Sequence, residues 1–117
     1  MQYLLMLYSD PSGWARMTPV EQTEAAAAYG AYTEALRKAS ALAGANRLQD
    51  ATTATTVKIA NGKTQVLDGP YADSKEQLGG YYLIDVPDLD AAISWAARCP
   101  AASHGTVEVR PVYLTPA

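Results

Sequence analysis

A single cysteine, Cys99, and a single histidine, His104, among 117 residues exclude several classes of protein at once. No internal disulfide is possible, which fits a reducing compartment and makes the cytoplasm the expected location. The same scarcity leaves only carboxylates as further metal ligands, at no spacing that builds a metal centre. Positive charge is also thin: nine Lys and Arg stand scattered against twelve Asp and Glu, for a net charge of -3. No basic stripe exists to neutralise phosphates or anionic lipid, so neither nucleic acid nor a membrane is an expected partner. The first residues, MQYLLMLYSD, lack the basic start, long apolar core and small-residue cleavage site of a signal peptide, and their apolar run is too short to span a bilayer. No Gly-rich phosphate loop, nucleophile elbow or dinucleotide fingerprint occurs, and no cofactor is expected.

What is present describes a globular chain, with 49% hydrophobic and 18% charged residues. A chain of this length buries roughly 65% of the surface its unfolded form exposes, enough for one core. One domain over residues 1–117 is expected, with disorder confined to the last few residues.

Periodicity sets out the elements. Tyr3 to Tyr8 is apolar at every position, so both faces of this first strand, Tyr3/Leu5/Leu7 and Leu4/Met6/Tyr8, ask for burial. Ser9 to Met17 is predicted as a loop. Thr18-Pro19-Val20-Glu21 then supplies an N-cap, a proline at the first helical position and a capping-box glutamate. The stripe Ala25, Tyr29, Tyr32, Leu36, Ala39 and Ala43 carries this helix to about Ala43, with Gly44 as its left-handed cap. Gly30 inside it predicts close packing of another backbone. Thr55 to Ala60 and Lys63 to Leu67 flank Asn61-Gly62, a strong type I′ hairpin signal. Ala45 to Gln49 is a further strand candidate of unassigned register. Gly80 to Val86 is a strand apolar on both faces, and Pro87-Asp88 caps a second helix with the stripe Leu89, Ala92, Ile93, Ala96 and Ala97. Ala101 to His104 reads as a loop, and Thr106 to Val112 as a last strand that Pro111 places at an edge or bulge.

This order predicts an α+β fold, a ferredoxin-like βαββαβ plan with an inserted β-hairpin. Right-handed crossovers put both helices on one face of the sheet. The first strand and the Tyr81 strand nevertheless ask for cover on both faces, and the chain offers no third layer. The economical solution is a homodimer in which two sheets face each other across a two-fold axis.

Chemistry concentrates in residues 68–82, DGPYADSKEQLGGYY. Asp68-Gly69-Pro70-Tyr71 is turn chemistry, Asp73 and Glu76 are spaced to cap one helical turn, and Gly79-Gly80 lets the backbone bend or approach another group. Those roles leave unexplained why Asp68, Asp73, Lys75 and Glu76 crowd one connection beside tyrosines. The run DGPYADSKEQLGGYYLIDV resembles the signature of the DGPF subgroup of the YCII-related family, and HGTVEVRPV resembles the family's C-terminal strand. Tyr71 stands where the subgroup's name has Phe, Asp73 where Glu is usual and Ser74 where Thr is usual. The resemblance implies a dimeric α+β barrel. For function it implies less: a few relatives are associated with dehydrochlorination or similar acid-base chemistry through a His and Asp pair, and DGPF members are often encoded beside extracytoplasmic-function sigma factors.

His104 is the candidate general base, because histidine alone titrates ordinarily near cellular pH, and Asp68 is a candidate to orient its ring. The competing reading is an exposed or capping histidine. Glu76 and Lys75 are candidate substrate-binding residues at the cavity rim, although Lys75 reads equally as solvated. Glu108 and Arg110 share the polar face of the last strand, either paired with each other or with a second subunit, or with Arg110 holding a substrate carboxylate. Tyr8 and Tyr81 are candidate hydroxyl donors to a small-molecule ligand, though core or interface positions are the commoner use of such tyrosines. Trp14 is a lid or an exposed anchor, Trp95 packs, and Cys99 is structural. Two functions follow. One is a cofactor-free acid-base enzyme using His104; the other is a non-catalytic ligand-binding or accessory protein, linked by the resemblance to a sigma factor.

Overall fold

The structure, a computed structural model, is described here for residues 1–114; the last residues, where the sequence predicts disorder, lie outside that range. Four strands form one antiparallel sheet: β1 (Gln2–Ser9), β2 (Leu42–Arg47), β5 (Gln77–Asp85) and β6 (Thr106–Pro111). Their order is β2-β5-β1-β6, the ferredoxin-like arrangement expected. Strands β3 (Thr55–Ala60) and β4 (Lys63–Asp68) pair only with each other as the inserted hairpin. Its turn is left-handed at both Asn61 (φ 52°) and Gly62 (φ 74°), the type I′ geometry that Asn-Gly favours.

Two short helices occupy segments expected as loops. Helix α1 spans Ser12–Arg16 and α4 spans Ala101–His104; the longer α2 and α3 span Pro19–Lys38 and Leu89–Arg98. Asp10 starts α1, its carboxylate accepting from Ser12 N at 3.0 Å and Ser12 Oγ at 2.8 Å. Helix α2 opens as the sequence dictates, with Thr18 and Glu21 forming a reciprocal capping box. It stops five residues earlier than the periodicity suggests. Ser40 takes the left-handed conformation at φ 56°. Ser40 N then donates to Arg37 O at 3.0 Å and Ala41 N to Leu36 O at 2.9 Å. This is a Schellman ending, made with serine where glycine is usual, and Gly44 lies instead within β2.

Both long helices pack on one face of the sheet. Tyr3, Leu5 and Leu7 from β1 meet Tyr82 and Ile84 from β5, Tyr32 and Leu36 from α2, and Ala92 and Ala96 from α3 in one cluster. Leu5, Leu36, Ile84 and Cys99 are fully buried; each large apolar side chain so buried contributes about 1.5–3 kcal/mol. Tyr32 Oη donates to Trp95 O at 2.7 Å, joining α2 to α3. The second-helix stripe is narrower than expected, with Leu89 and Ile93 exposed while Cys99 joins the core. Gly30 does not mark a backbone approach either, since nothing lies within 4 Å of a Cβ built there.

On the opposite face, Leu4, Met6 and Tyr8 lie half-buried beside Tyr81 and Leu83. Met6 pairs with Tyr81 and Glu108, and Leu4 with Leu83 and Arg110. Among the described residues no second layer covers this face, which is the unmet demand read from the sequence.

Candidate functional site

Strand direction brings three connections to one edge of the sheet. Strands β5 and β6 run antiparallel to β1, and β2 antiparallel to β5. The ends of β1 and β2 therefore share an edge with the starts of β5 and β6. That edge holds α1, the whole insertion between β2 and β5, and α4 with His104.

Glu76 is the anchor of the sequence-predicted group. Its Oε1 accepts from Thr106 Oγ1 at 2.8 Å, tying the approach to β5 to the start of β6, two residues beyond His104. Lys75 lies near enough to Asp10 to draw its carboxyl downward, although the two hydrogen bonds from Ser12 are the larger causes of that lowering. Asp73 and Glu76 form no helical cap. The chain there is irregular, and Ser74 Oγ donates to the Glu76 carbonyl instead.

His104 ends α4 on the surface, and its ring makes no hydrogen bond or ion pair among the described residues. The next residue fixes its position. A Cβ on Gly105 would stand 2.1 Å from Tyr8 O, so only glycine lets this turn sit against the end of β1. Asp68 ends β4 opposite Thr55, exposed on the hairpin, and no hydrogen bond or ion pair joins it to His104. The fold thus gathers Lys75, Glu76 and His104 at one edge and leaves Asp68 on the hairpin.

Beside this group a cavity of about 600 Å³ opens between α1, α2 and the ends of β2 and β5, within the usual range for small-molecule sites of roughly 300–1,000 Å³. Trp14, Tyr29, Asn46, Arg47, Gln77 and Tyr81 are among its walls. Asn46 Nδ2 donates to Tyr81 Oη at 2.8 Å, which holds the ring and leaves the second amide hydrogen free. The Arg47 guanidinium stacks 4.8 Å from the Trp14 ring centre, and the Trp14 carbonyl is held by Gln22 Nε2 at 3.0 Å. Arg47 meets no carboxylate within ion-pair distance among the described residues. Burial, with smaller effects of Cys99 and Tyr82, pushes the Tyr29 phenol up to about 12, so it stays a neutral hydroxyl at cellular pH.

The glycine pair forms part of this cavity. Leu7 pairs with Gly80 and Tyr8 with Leu78, leaving Gly79 as the extra residue of a bulge, a device common beside functional sites. A Cβ on Gly80 would stand 2.9 Å from Asn46 O, so glycine lets β2 close on β5 at the cavity wall. Sequence reasoning missed Asn46 and Arg47 because the register of their strand was unassigned, and neither His104 nor Asp68 lines the cavity. Tyr81 is the predicted residue that does.

Tyr8 and Arg110 belong to the open sheet face. Arg110 Nη2 meets Glu108 Oε2 at 2.7 Å. That oxygen is shut off from solvent and has no aligned hydrogen-bond donor, so the contact is an ion pair without hydrogen-bond geometry. Pairing with each other is one of the alternatives that the sequence left open.

An antiparallel α+β sheet with helices on one face and an aromatic-walled cavity carrying Arg47 at its strand ends defines the class. Within it, the chain matches the YCII-related domain over residues 1–115 and belongs to that family. It is 36% identical over 116 residues to the uncharacterised protein R00369 of Rhizobium meliloti (strain 1021), covering 97% of this chain and 94% of that one. A solved structure with a similar fold is the 5-chloro-2-hydroxyhydroquinone dehydrochlorinase of Burkholderia phenoliruptrix AC1100, in complex with 2,5-dihydroxybenzoquinone. The TM-score is 0.58 with 16% identity, over 97% of this chain and 94% of the other; the likeness is one of fold.

Proposed function

We propose that this YCII-related protein, with the DGPF-like stretch at residues 68–71, is a single-domain cytoplasmic homodimer that binds a small cyclic anion at the strand-end cavity. The observation that carries the reading is Arg47, stacked on Trp14 at the cavity wall and free of any carboxylate partner among the described residues. A stacked guanidinium beside aromatic walls suits a flat ring bearing an acidic oxygen, with ring stacking and a charge-assisted hydrogen bond acting together. Tyr29 and the free Asn46 amide hydrogen supply neutral donors. The dimer reading rests on the half-buried apolar centre of the open face, Leu4, Met6 and Leu83, which a second sheet would cover. The neighbour's bound 2,5-dihydroxybenzoquinone is the first probe to use. Saturable quenching of Trp14 fluorescence, weakened at least tenfold in Arg47→Ala, is the expected result; no saturable quenching by this compound or by a panel of small aromatic acids overturns the reading.

A catalytic form of the same reading makes His104 a general base acting on a ligand held nearby. It is favoured by the unbonded imidazole at the same edge as Glu76 and Lys75, and by the dehydrochlorinase activity named for the structural neighbour. Glu76, tied to the start of the same strand, is better placed than Asp68 to set the local charge, and Arg110 and Tyr8 would then face the dimer interior rather than the ligand. Turnover of any identified substrate that survives in His104→Ala sinks this form. An accessory role beside an extracytoplasmic-function sigma factor rests on the DGPF resemblance alone. Failure to co-purify with the cognate factor counts against it.

A further inference from the structure

The inserted hairpin is the least explained part of the molecule. It pairs with no strand of the main sheet, and an isolated two-stranded hairpin is marginal in water. Yet Val57 faces Val66 across it, with Ile59 opposite Thr64, so alternation places Val57, Ile59 and Val66 on one face. These three are 62%, 70% and 61% exposed. A solvated hairpin has no use for such a stripe, and an uncovered one is an aggregation hazard. The molecule is correspondingly flat and wide, with extents of 48 × 48 × 17 Å.

We infer that the β3–β4 hairpin is an arm that lays its Val57, Ile59 and Val66 face on a second copy of this chain. The inference rests on the homodimer reading and adds a second contact to it. Area decides for the second copy. Four strands about 4.8 Å apart, paired over about six residues of 3.4 Å, offer roughly 400 Å² in projection, so two facing sheets bury on the order of 800 Å². That falls short of the roughly 1,200–2,000 Å² of a stable specific interface. Each arm, two strands of six residues, presents roughly 200 Å² and covers as much of its partner, so two arms add on the order of 800 Å². The sum, on the order of 1,600 Å², is the standard size. The arm leaves the chain directly after edge strand β2 and its 3₁₀ turn, Ala51–Thr53, where an extension of a sheet-to-sheet interface is unobstructed by other strands. Lys58 and Lys63 fall on the opposite hairpin face, and the one charge on the stripe's own face is Asp68, at its open end opposite Thr55.

The test combines sedimentation equilibrium with hydrogen exchange of the full chain. The triple variant Val57→Ser, Ile59→Ser, Val66→Ser is expected to raise the dimer dissociation constant at least 30-fold. In the unsubstituted protein, hairpin amides are expected to be protected in the dimer and to lose that protection on dilution to monomer, a readout independent of any variant's folding. An unchanged dissociation constant together with unprotected hairpin amides in the dimer overturns the arm and leaves the dimer standing. A protein that sediments as a monomer at every concentration overturns both.

Discussion

Glu76 Oε1 accepts a hydrogen bond from Thr106 Oγ1 at 2.8 Å across 30 residues of sequence. This contact closes the strand-end edge, joining the family-like stretch to the strand that follows His104. Thr106→Val is expected to loosen the approach to β5, with faster amide exchange over residues 74–77 and a stability loss of about 1 kcal/mol by urea denaturation. Unchanged exchange there would remove Glu76 from the site's framework.

Two glycines with opposite surroundings make a paired prediction. In Gly105→Ala the new methyl meets the backbone oxygen of Tyr8 at 2.1 Å, and a loss of roughly 2–4 kcal/mol is expected, consistent with the upper range of overpacking. In Gly30→Ala the methyl meets nothing within 4 Å, and the exposed mid-helix change is expected to stabilise by about 0.5–1 kcal/mol. Thermal melts of the two variants should move in opposite directions.

Leu36 is fully buried where α2 meets the sheet. Leu36→Ala is expected to cost about 2–5 kcal/mol through lost transfer energy and the cavity left behind, with Leu36→Met under about 1.5 kcal/mol because volume is kept. Equilibrium denaturation of the pair separates packing from helix propensity.

Stability should fall off at both ends of the pH scale. Hydrogen bonds from Thr18 hold Glu21 below its ordinary 4.5, those from Ser12 hold Asp10 below 3.8, and those from Thr52 hold Asp50 below 3.8. A lowered folded-state value means stability present above the ordinary value and lost as pH falls through the folded one. Burial raises Tyr29, Tyr82 and Cys99, and this contribution is intact below the unfolded values near 9 to 10 and lost as pH rises past them. Melting temperatures should be flat from about pH 5 to 9, with Glu21→Gln flattening the acid limb.

Much of the fold is legible in the chain. The capping box at Thr18 and Glu21, the Asn61-Gly62 turn and the alternation in Tyr3 to Tyr8 are local, each fixed by the conformational preferences of neighbouring residues. The elements that escaped depend on contacts remote in sequence or on substitutes for the usual signal. Helix α2 ends at a serine in a glycine's place, and α1 exists because Asp10 turns back on Ser12. The glycine pair serves both bending, in the bulge at Gly79, and close approach, of β2 to Gly80, and the sequence alone does not distinguish them.

The sequence by itself determined the family, the βαββαβ order with its hairpin, and the presence of an apolar sheet face that one chain does not cover, because periodicity and turn chemistry act over a few residues. Only the tertiary structure decided that Glu76 bonds to Thr106 on the strand that follows His104 while Asp68 stays on the hairpin, and that Trp14, Asn46, Arg47 and Tyr81 wall the cavity. Strand pairing sets these neighbourhoods: a residue's place at the edge depends on register between strands tens of residues apart, and no local pattern carries that register.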